Sequence, residues 1–322
     1  MSLPTSAATC GIDIGGTKIG GAVVDGSGAV VAEARVTSPA TDPDAIGAAV
    51  AGLVAELSAA APADSPVAAV GVGAAGYIDA DRSTVLFAPN IAWRDEPLGA
   101  DLARRTGLPV VVENDANVAA WGEFRYGAGG DVDDQLMVTV GTGVGGGVII
   151  DGRLLRGAFG VAAEIGHLCV VPDGLLCGCG NRGCLEQYGS GTALVREARE
   201  AAVASPRLAH DLVERAGGDP AAITGPLITQ AAQEGDRFAI EQLERIGHWL
   251  GHGIASLVAV LDPAAIVIGG GVSEAGDLLL DPIRERFEHE LTGRGYRPQA
   301  EIRRARLGNR AGVVGAADLA RL

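Results

Sequence analysis

The sequence predicts an α/β fold, and three observations support this class. The chain has 322 residues and is 48% hydrophobic, which is enough for a substantial core in one large or two medium domains. It contains 49 glycines and 4% aromatic residues, a composition that favours glycine-dependent turns over a β-sandwich. Two continuously apolar strands, 67–72 and 110–112, follow helical patterns, as parallel strands buried on both faces do.

Charge and hydropathy exclude several classes of protein. The net charge of −15 opposes nonspecific binding to nucleic acid, because that affinity comes largely from lysine and arginine on phosphates. No run of 18 apolar residues occurs, so we expect no membrane span. The first ten residues lack a basic segment and an apolar segment, so we expect no signal peptide and a cytoplasmic location.

The first strands contain a candidate phosphate site. Residues 10–36 alternate short β-prone runs with glycine turns, as successive hairpin strands do. Asp13 lies in the first strand, and Gly15, Gly16, Thr17 and Lys18 follow it. Glycines let backbone N–H groups approach an anion, although a plain hairpin turn explains the same pattern. The spacing is not that of a Walker A loop.

A second polar group follows the strand at 110–112. Glu113, Asn114 and Asp115 come directly after it and before an alanine-rich helix, predicted at 117–126. The carboxyl ends of parallel strands are where α/β proteins bind ligands. Asp115 is therefore either part of a ligand site or only the cap of the helix, and both interpretations stay open on this pattern.

Two further strands run into glycines. The segment 141–147 (G-T-G-V-G-G-G) predicts a turn between strands 136–140 and 148–150, and its backbone amides could surround phosphates. The segment 266–273 (I-V-I-G-G-G-V-S) follows a helix predicted at about 239–260 and ended by Asp262 and Pro263. Together with Asp13, these turns indicate a nucleotide held between two lobes.

Four residues have the composition and spacing of a structural zinc site: His167, Cys177, Cys179 and Cys184. Two glutamates, Glu164 and Glu186, bracket them. The remaining cysteines are Cys10 and Cys169. A buried thiol is the expected state for Cys169, with zinc ligation as the alternative. His248 and His252 lie four residues apart on a helix, but no third ligand follows them, so ordinary surface histidines are expected.

No linker divides the chain. We expect a small α/β lobe at 1–114 plus 301–322 and a large α/β lobe at 115–300 that carries the zinc loop. The last residues predict a strand at 301–306 and a helix at 311–322 that packs back on the small lobe.

The combined motifs resemble those of the ROK family of sugar kinases and repressors, over residues 10–320. The most specific is C-x-C-G-x-x-G-C-x-E, kept in full at 177–186. The others are D-I-G-G-T-K at 13–18, E-N-D at 113–115, G-T-G-V-G-G-G at 141–147, E-I-G-H at 164–167 and I-G-G-G-V-S at 268–273. The resemblance implies an actin-like ATPase (ribonuclease H-like) fold, with two α/β lobes around a cleft.

The resemblance also implies an activity, the ATP-dependent phosphorylation of the 6-hydroxyl of glucose. Asp115 would be the general base, and Asn114 would bind neighbouring hydroxyls. Glu164, His167 and Glu186 would hold the other hydroxyls, with His167 also on zinc. Asn90 is a further predicted sugar contact.

The implied cofactors are ATP, Mg²⁺ and a structural Zn²⁺. Asp13 would organise Mg²⁺ through water, since that ion keeps several waters. The residues assigned to the nucleotide are Asp13, Gly15, Gly16, Thr17, Lys18, Gly141, Thr142, Gly143, Gly145, Gly269, Gly270 and Gly271.

Other functions remain open within and beyond this family. The sugar could be N-acetylglucosamine, N-acetylmannosamine, mannose or fructose, and a sugar-sensing regulator without catalysis is the alternative from another class. ROK repressors carry an N-terminal helix-turn-helix, for which nine residues before Cys10 leave no room. We therefore expect glucose and ATP as partners, no nucleic acid, no membrane, and a homo-oligomer (dimer or tetramer).

Overall fold

The computed structural model describes residues 3–4, 6–88 and 91–322. In these ranges the strands are β1 (Thr9–Ile14), β2 (Lys18–Val24), β3 (Val30–Thr37), β4 (Val70–Ala74), β5 (Tyr77–Ile78), β6 (Val85–Phe87), β7 (Arg94–Glu96), β8 (Val110–Asn114), β9 (Gln135–Val140), β10 (Val144–Ile150), β11 (Arg153–Leu154), β12 (Ala265–Gly269) and β13 (Glu301–Arg304). The helices are α1 (Pro43–Ala60), α2 (Leu98–Thr106), α3 (Asp115–Tyr126), α4 (Glu186–Gly189), α5 (Gly191–Ala204), α6 (His210–Arg215), α7 (Gly225–Gln233), α8 (Arg237–Leu261), α9 (Asp277–Glu290) and α10 (Ala311–Leu319). Short 3-10 turns add to these at 165–167, 220–222, 271–275 and 308–310.

The first five-stranded sheet has the order β3-β2-β1-β4-β8. Its first three strands form antiparallel hairpins, and β1, β4 and β8 run parallel. Both features confirm the sequence prediction. The register pairs Asp13 with Gly73 and Gly73 with Glu113, so the polar residues that end β1 and β8 share the carboxyl edge of one sheet.

The C-terminal helix α10 packs closely against this sheet, as the sequence predicted. A Cβ on Gly11 would lie 1.8 Å from the carbonyl oxygen of Val313, and one on Gly71 would lie 1.7 Å from that of Ala316. Only glycine therefore fits at these two strand positions. Thr9 strengthens the contact, because its hydroxyl donates to the carbonyl of Ala317 at 2.8 Å.

Helix α1 packs on the same sheet through an apolar face. Asp42 caps the helix, accepting from the N–H of Ala45, and Pro43 occupies its first position. Ile46, Leu53 and other residues of this face belong to the main core cluster. Among the described residues, α1 alone is long and apolar enough to cross a membrane by length and composition, with 33% of that window buried. Its packing in the core makes this weak evidence for a span.

Helices α8 and α9 pack closely at two positions of α8 where glycine leaves room for α9. A Cβ on Gly251 would lie 2.6 Å from the carbonyl oxygen of Ile283, and one on Gly247 would lie 2.8 Å from Cβ of Pro282. The end of α8 agrees with the prediction within a few residues, since Asp262 adopts the left-handed conformation directly after Leu261.

The second five-stranded sheet has the order β11-β10-β9-β12-β13. Its hairpin turn is shorter than predicted. Strand β10 begins at Val144, so the turn consists of residues 141–143, and Gly145 lies inside the strand. The prediction of a turn through residue 147 was wrong, because three successive glycines can also pair as extended backbone.

The chain divides into two compact units. The first contains Met1–Met137, Gly147–Ala163 and Arg306–Leu322, and the second contains Val138–Gly146 and Glu164–Ala305. This division by compactness does not test the predicted lobes at 1–114 plus 301–322 and 115–300, which stay a prediction.

Candidate active site

In the first unit, the side chain of Asn114 caps the N-terminus of α3. Its side-chain oxygen accepts hydrogen bonds from the N–H groups of Ala116 (2.9 Å) and Asn117 (3.1 Å). Its amide nitrogen donates to the carbonyl of Gly76 at 3.1 Å. Asn114 is therefore the helix cap, and the alternative that Asp115 serves only as the cap was wrong.

Asp115 occupies the first position of α3. The N–H of Ala116 also donates to its Oδ1, at 2.9 Å. The side chain is exposed to solvent, yet burial among protein atoms raises its pKa, against the effect of backbone hydrogen bonds. A raised pKa makes Asp115 a better proton acceptor than an ordinary aspartate.

Asp13 is the second carboxylate of this region. Its pKa is raised to about 6, first by burial and then by the negative charge of Asp115, while Lys18 acts in the opposite direction. Gly312, at the start of α10, lies beside it, since a Cβ there would be 3.4 Å from the carboxyl carbon of Asp13. Two desolvated carboxylates whose charges repel form a suitable place for a cation, and the donor set suits Mg²⁺.

Glu113 anchors the segment that carries these groups. It is 1% exposed, and its Oε2 lies 3.1 Å from Nε of Arg82 and 2.7 Å from Nε of Arg156. Its Oε1 accepts from the N–H of Asn114 (2.9 Å) and from the side-chain amide of Asn117 (3.1 Å). A single buried carboxylate therefore fixes the strand end and two arginines at once.

The first glycine turn joins β1 to β2. The N–H of Gly15 donates to the carbonyl of Lys18 at 3.0 Å, so this amide closes the hairpin. Gly16, Thr17 and Lys18 are exposed and can face a ligand. The hairpin and the phosphate interpretations of this turn are thus compatible.

In the second unit, the turn at 141–143 is held by the start of α5. The N–H of Gly141 donates to the carbonyl of Gly143 at 3.0 Å, and the N–H of Gly191 donates to the carbonyl of Gly141 at 2.8 Å. The hydroxyl of Thr192 donates to the carbonyl of Thr142 at 2.7 Å. These contacts use carbonyl groups of the turn and fix its shape.

The third glycine turn follows β12. Gly270 has a φ of +83°, and a Cβ there would lie 2.5 Å from the carbonyl oxygen of Val140. Only glycine therefore fits, and the chain passes directly over the end of β9. The hydroxyl of Ser273 donates to the carbonyl of Gly270 at 2.7 Å and holds the turn closed.

The predicted metal ligands lie together. One ligand atom from each of His167, Cys177, Cys179 and Cys184 lies within 4.8 Å of all the others. Nδ1 of His167 is 3.7 Å from Sγ of Cys177, and the sulfurs of Cys179 and Cys184 are 3.7 Å apart. Tetrahedral zinc separates two sulfurs by about 3.8 Å and a sulfur and a nitrogen by about 3.6 Å. The cluster fits a tetrahedral ion.

The backbone around the cluster explains this geometry. The N–H of Val170 donates to the carbonyl of Gly183 at 2.8 Å, and the N–H of Cys177 donates to that of Asn181 at 2.8 Å. Gly183 has a φ of +76°, and a Cβ there would lie 1.7 Å from the carbonyl oxygen of Val171. Turn geometry and close packing therefore help to hold the ligand residues near one another.

His167 and Glu164 form the first arm of the predicted sugar site. While Nδ1 of His167 faces Cys177, Nε2 lies 4.0 Å from Oε2 of Glu164. The two ring nitrogens are thus directed to different groups, and only Nδ1 takes part in the metal cluster.

Glu186 forms the second arm, at the start of α4. Its Oε2 accepts from the N–H of Val144 at 3.2 Å. A Cβ on Gly143 would lie 2.2 Å from the same oxygen. The glutamate that follows the metal cluster is therefore in direct contact with the turn at 141–143.

The predicted residues fall into two groups, one in each unit. The first unit holds Asp13, the turn at 15–18, Asn114 and Asp115, and the second holds Glu164, His167, Glu186 and both later glycine turns. Asn90 lies outside the described residues.

Two cysteine and histidine expectations have clear outcomes. Cys10 is buried, whereas Cys169 is exposed, so the prediction of a buried thiol at Cys169 was wrong. Cys169 forms a strand-like bridge with Cys184, and the described metal cluster does not include it. His252 pairs with Glu290 of α9, and the described metal cluster contains neither His248 nor His252.

Three features of the site escaped the sequence analysis. Neither the ion pairs of Glu113 with Arg82 and Arg156 nor the contact of Glu186 with Val144 was predicted. A glutamate that directly continues an apolar strand is a usable signal for a buried ion pair. No local pattern identifies the partners of Glu113, because Arg82 lies 31 residues before it in the sequence and Arg156 lies 43 residues after it.

The chain is similar to known proteins in both sequence and structure. A model of the ROK family matches residues 9–322. A glucokinase of Streptomyces coelicolor is 51% identical over 97% of each chain, and a glucokinase of Halalkalibacterium halodurans is 40% identical over 95% of this chain and 92% of its own. The crystal structure of a ROK family glucokinase from Streptomyces griseus, in complex with glucose and AMPPNP, has a TM-score of 0.89 and 52% identity, and covers 98% of this chain and 99% of its own.

Proposed function

The chain belongs to the ROK family, and we propose that it is a glucokinase that transfers the γ-phosphoryl group of ATP to the 6-hydroxyl of glucose. Its fold is the actin-like ATPase fold that the sequence predicted. The likeness to the glucokinase that binds glucose and AMPPNP is the observation that carries the proposal. The site residues below support it by their chemistry.

Asp115 is the proposed general base. It accepts the proton of the 6-hydroxyl while the sugar oxygen bonds to the γ-phosphorus, and the bond from that phosphorus to the bridging oxygen breaks to release ADP. The raised pKa of Asp115 suits this role, because burial weakens the solvation of its charge. Its exposure leaves a path for a hydroxyl group.

The proposed sugar contacts combine carboxylates with an amide and an imidazole. Asn114 uses one N–H on Gly76, and its second N–H would donate to a hydroxyl. Glu164 and Glu186 would accept hydrogen bonds from hydroxyl groups, and Nε2 of His167 would meet another. Sugars that lack these hydroxyls would leave buried polar groups unpaired, at about 1–3 kcal/mol each.

The proposed nucleotide contacts are the three glycine turns and Asp13. Bound Mg²⁺ neutralises charge on the phosphates, and Asp13 would hold it through water. Exposed Thr17 and Lys18 would donate to phosphate oxygens, with the amides of the first two turns. Gly145 keeps its assignment although it lies in β10, and the turn at 269–271 would approach the nucleoside.

The proposed metal in the four-residue cluster is a structural zinc. Three cysteines and one histidine occupy all four tetrahedral positions and leave none for a substrate or a catalytic water. We propose that this zinc fixes the segment from Glu164 to Glu186, so that the two sugar-binding carboxylates keep their spacing.

Two alternative functions use the same site residues. A kinase for another hexose or N-acetylhexosamine is the alternative within the enzyme class. A regulator that only senses sugar is a weaker alternative, because Asp115 and the glycine turns are retained. A cytoplasmic location and a homo-oligomeric state stay predictions.

A coupled assay tests the proposed function. Purified protein with Mg-ATP is given glucose, mannose, fructose, N-acetylglucosamine or N-acetylmannosamine, and kcat/KM is compared. We expect the highest kcat/KM for glucose, with glucose 6-phosphate as product. Absence of glucose 6-phosphate above background, or a higher kcat/KM for another sugar, contradicts the proposal.

A further inference from the structure

The contact between Glu186 and Val144 joins the segment from Glu164 to Glu186, which carries the proposed zinc ligands, to the strand that follows the glycine turn at 141–143. Oε2 of Glu186 accepts the N–H of Val144 at 3.2 Å. Position 143 is also close to this carboxylate, since a Cβ on Gly143 would lie 2.2 Å from Oε2 and 3.1 Å from the carboxyl carbon. The carboxylate therefore occupies the space that any side chain at position 143 would fill.

The peptide group of Val144 is held from a second side by the same segment. A Cβ on Gly166, the residue before His167, would lie 2.0 Å from the carbonyl oxygen of Val144. Both ends of the segment from Glu164 to Glu186 thus contact Val144, the first residue of β10 after the turn.

Backbone strain is not the reason that position 143 requires glycine. Gly143 is not among the residues with positive φ, so alanine can adopt its conformation. The obstructing atom is the far end of a flexible side chain, whereas at Gly166 it is backbone. A methyl group at position 143 would move the carboxylate of Glu186 and leave the fold intact.

From these contacts we infer that Gly143 is a positioning residue for the sugar: its missing side chain lets Glu186 bind a sugar hydroxyl and the Val144 N–H together. This inference rests on the proposed function, because it takes Glu186 as a sugar ligand. An ionised carboxylate has about four acceptor positions, so one glutamate can accept both hydrogen bonds.

Gly143→Ala tests the positioning role, with Gly52→Ala in α1 as the matched control. A Cβ at Gly52 meets nothing within 4 Å, and this residue lies outside the proposed site. We expect calorimetry to show at least about tenfold weaker glucose binding for Gly143→Ala, the loss of about one charge-assisted hydrogen bond, and wild-type glucose affinity for Gly52→Ala. Equal glucose affinity in both variants and the wild type overturns the inference.

A double-mutant cycle separates this role from a general structural effect. Glu186→Ala alone weakens glucose binding, and adding Gly143→Ala should weaken it no further, because position 143 acts only through the carboxylate. Additive losses overturn the inference. The double variant also removes the obstructing atom, so it must fold with full zinc content, and an unfolded double variant overturns the inference as well.

Failure of this inference is distinguishable from failure of the proposed function. Wild-type protein that binds no glucose would contradict the proposed function, whereas wild-type protein and Gly143→Ala that bind glucose equally well would overturn only the role of Gly143.

Discussion

Asp13 and Asp115 lie at the carboxyl edge of one sheet, and the charge of Asp115 adds to the effect of burial in raising the pKa of Asp13 to about 6. Asp13 is the residue before the last of β1 and Asp115 directly follows β8, with β4 between the two strands. Repulsion between the two charges destabilises the folded protein at neutral pH, and a cation or a proton relieves it. This relationship gives the first prediction.

Asp13→Asn should stabilise the protein at neutral pH. The folded pKa of about 6 lies above the ordinary 3.8, so the folded state binds the proton more tightly. The contribution of Asp13 to the free energy of unfolding is therefore fully present below pH 3.8, and it is lost as the pH rises through about 6. We expect the variant to gain roughly 1–3 kcal/mol in the free energy of unfolding at pH 7.5, measured by urea denaturation, and to lose that gain near pH 4.

The control for this variant is Asp64→Asn, an exposed aspartate in the loop after α1. It should change the free energy of unfolding by less than about 0.5 kcal/mol. A destabilised Asp13→Asn, or a gain independent of pH, would contradict the interpretation of the paired carboxylates.

Glu113→Gln should destabilise the protein, because it leaves Arg82 and Arg156 without a buried counter-charge. The loss should be roughly 2–4 kcal/mol in the free energy of unfolding. Glu33→Gln is the matched control, since Glu33 pairs with Arg310 at an exposed site, and its loss should stay below about 1 kcal/mol. Denaturant unfolding of both variants decides the matter, and similar small losses would contradict an anchoring role.

Loss of the metal should weaken sugar binding as well as stability. Cys179→Ser removes one of the four ligands, and the same segment carries Glu164 and Glu186. We expect a lower zinc content, a lower melting temperature and weaker glucose binding by calorimetry. Cys169→Ser is the control, because this exposed thiol lies outside the cluster and its variant should keep all three properties. Wild-type glucose affinity in a folded, zinc-free protein would show that zinc and sugar are independent.

Ala163→Gly should stabilise the protein. Ala163 directly precedes Glu164 and has a φ of +69°, a conformation that disfavours a Cβ by about 1–2 kcal/mol. We expect a net gain of about 1 kcal/mol, since glycine also costs more chain entropy on folding. Ala162→Gly is the control: this neighbour is not among the residues with positive φ, so glycine there should lower the melting temperature. Equal losses in both variants would show that position 163 is not strained.

Much of the fold follows from local sequence. The hairpins of β1 to β3, the parallel strands β4 and β8, and the extent of α8 depend on hydrophobic period and glycine placement, which act over a few residues. The four metal ligands lie within 18 residues, from His167 to Cys184, so their spacing alone indicated the cluster.

The remaining features depend on contacts between distant segments. The pairing of Gly145 in β10, the exposure of Cys169 and the ion pairs of Glu113 are set by which strand or loop lies opposite. Helix α10 also requires the glycines of β1 and β4, because its backbone lies directly against them. Gly11 and its contact Val313 are about 300 residues apart in the sequence. Sequence patterns marked these residues as unusual without naming their partners.

Asp115→Asn provides the most direct test of the account, because it keeps the shape of the side chain and removes its basicity. We expect turnover of glucose with Mg-ATP to fall by about 10²–10⁴-fold. Glucose binding, measured by calorimetry on the same preparation, should stay close to that of the wild type, and Asp64→Asn should keep both properties. A variant that binds glucose and phosphorylates it at the wild-type rate would contradict the assignment of Asp115 as the general base.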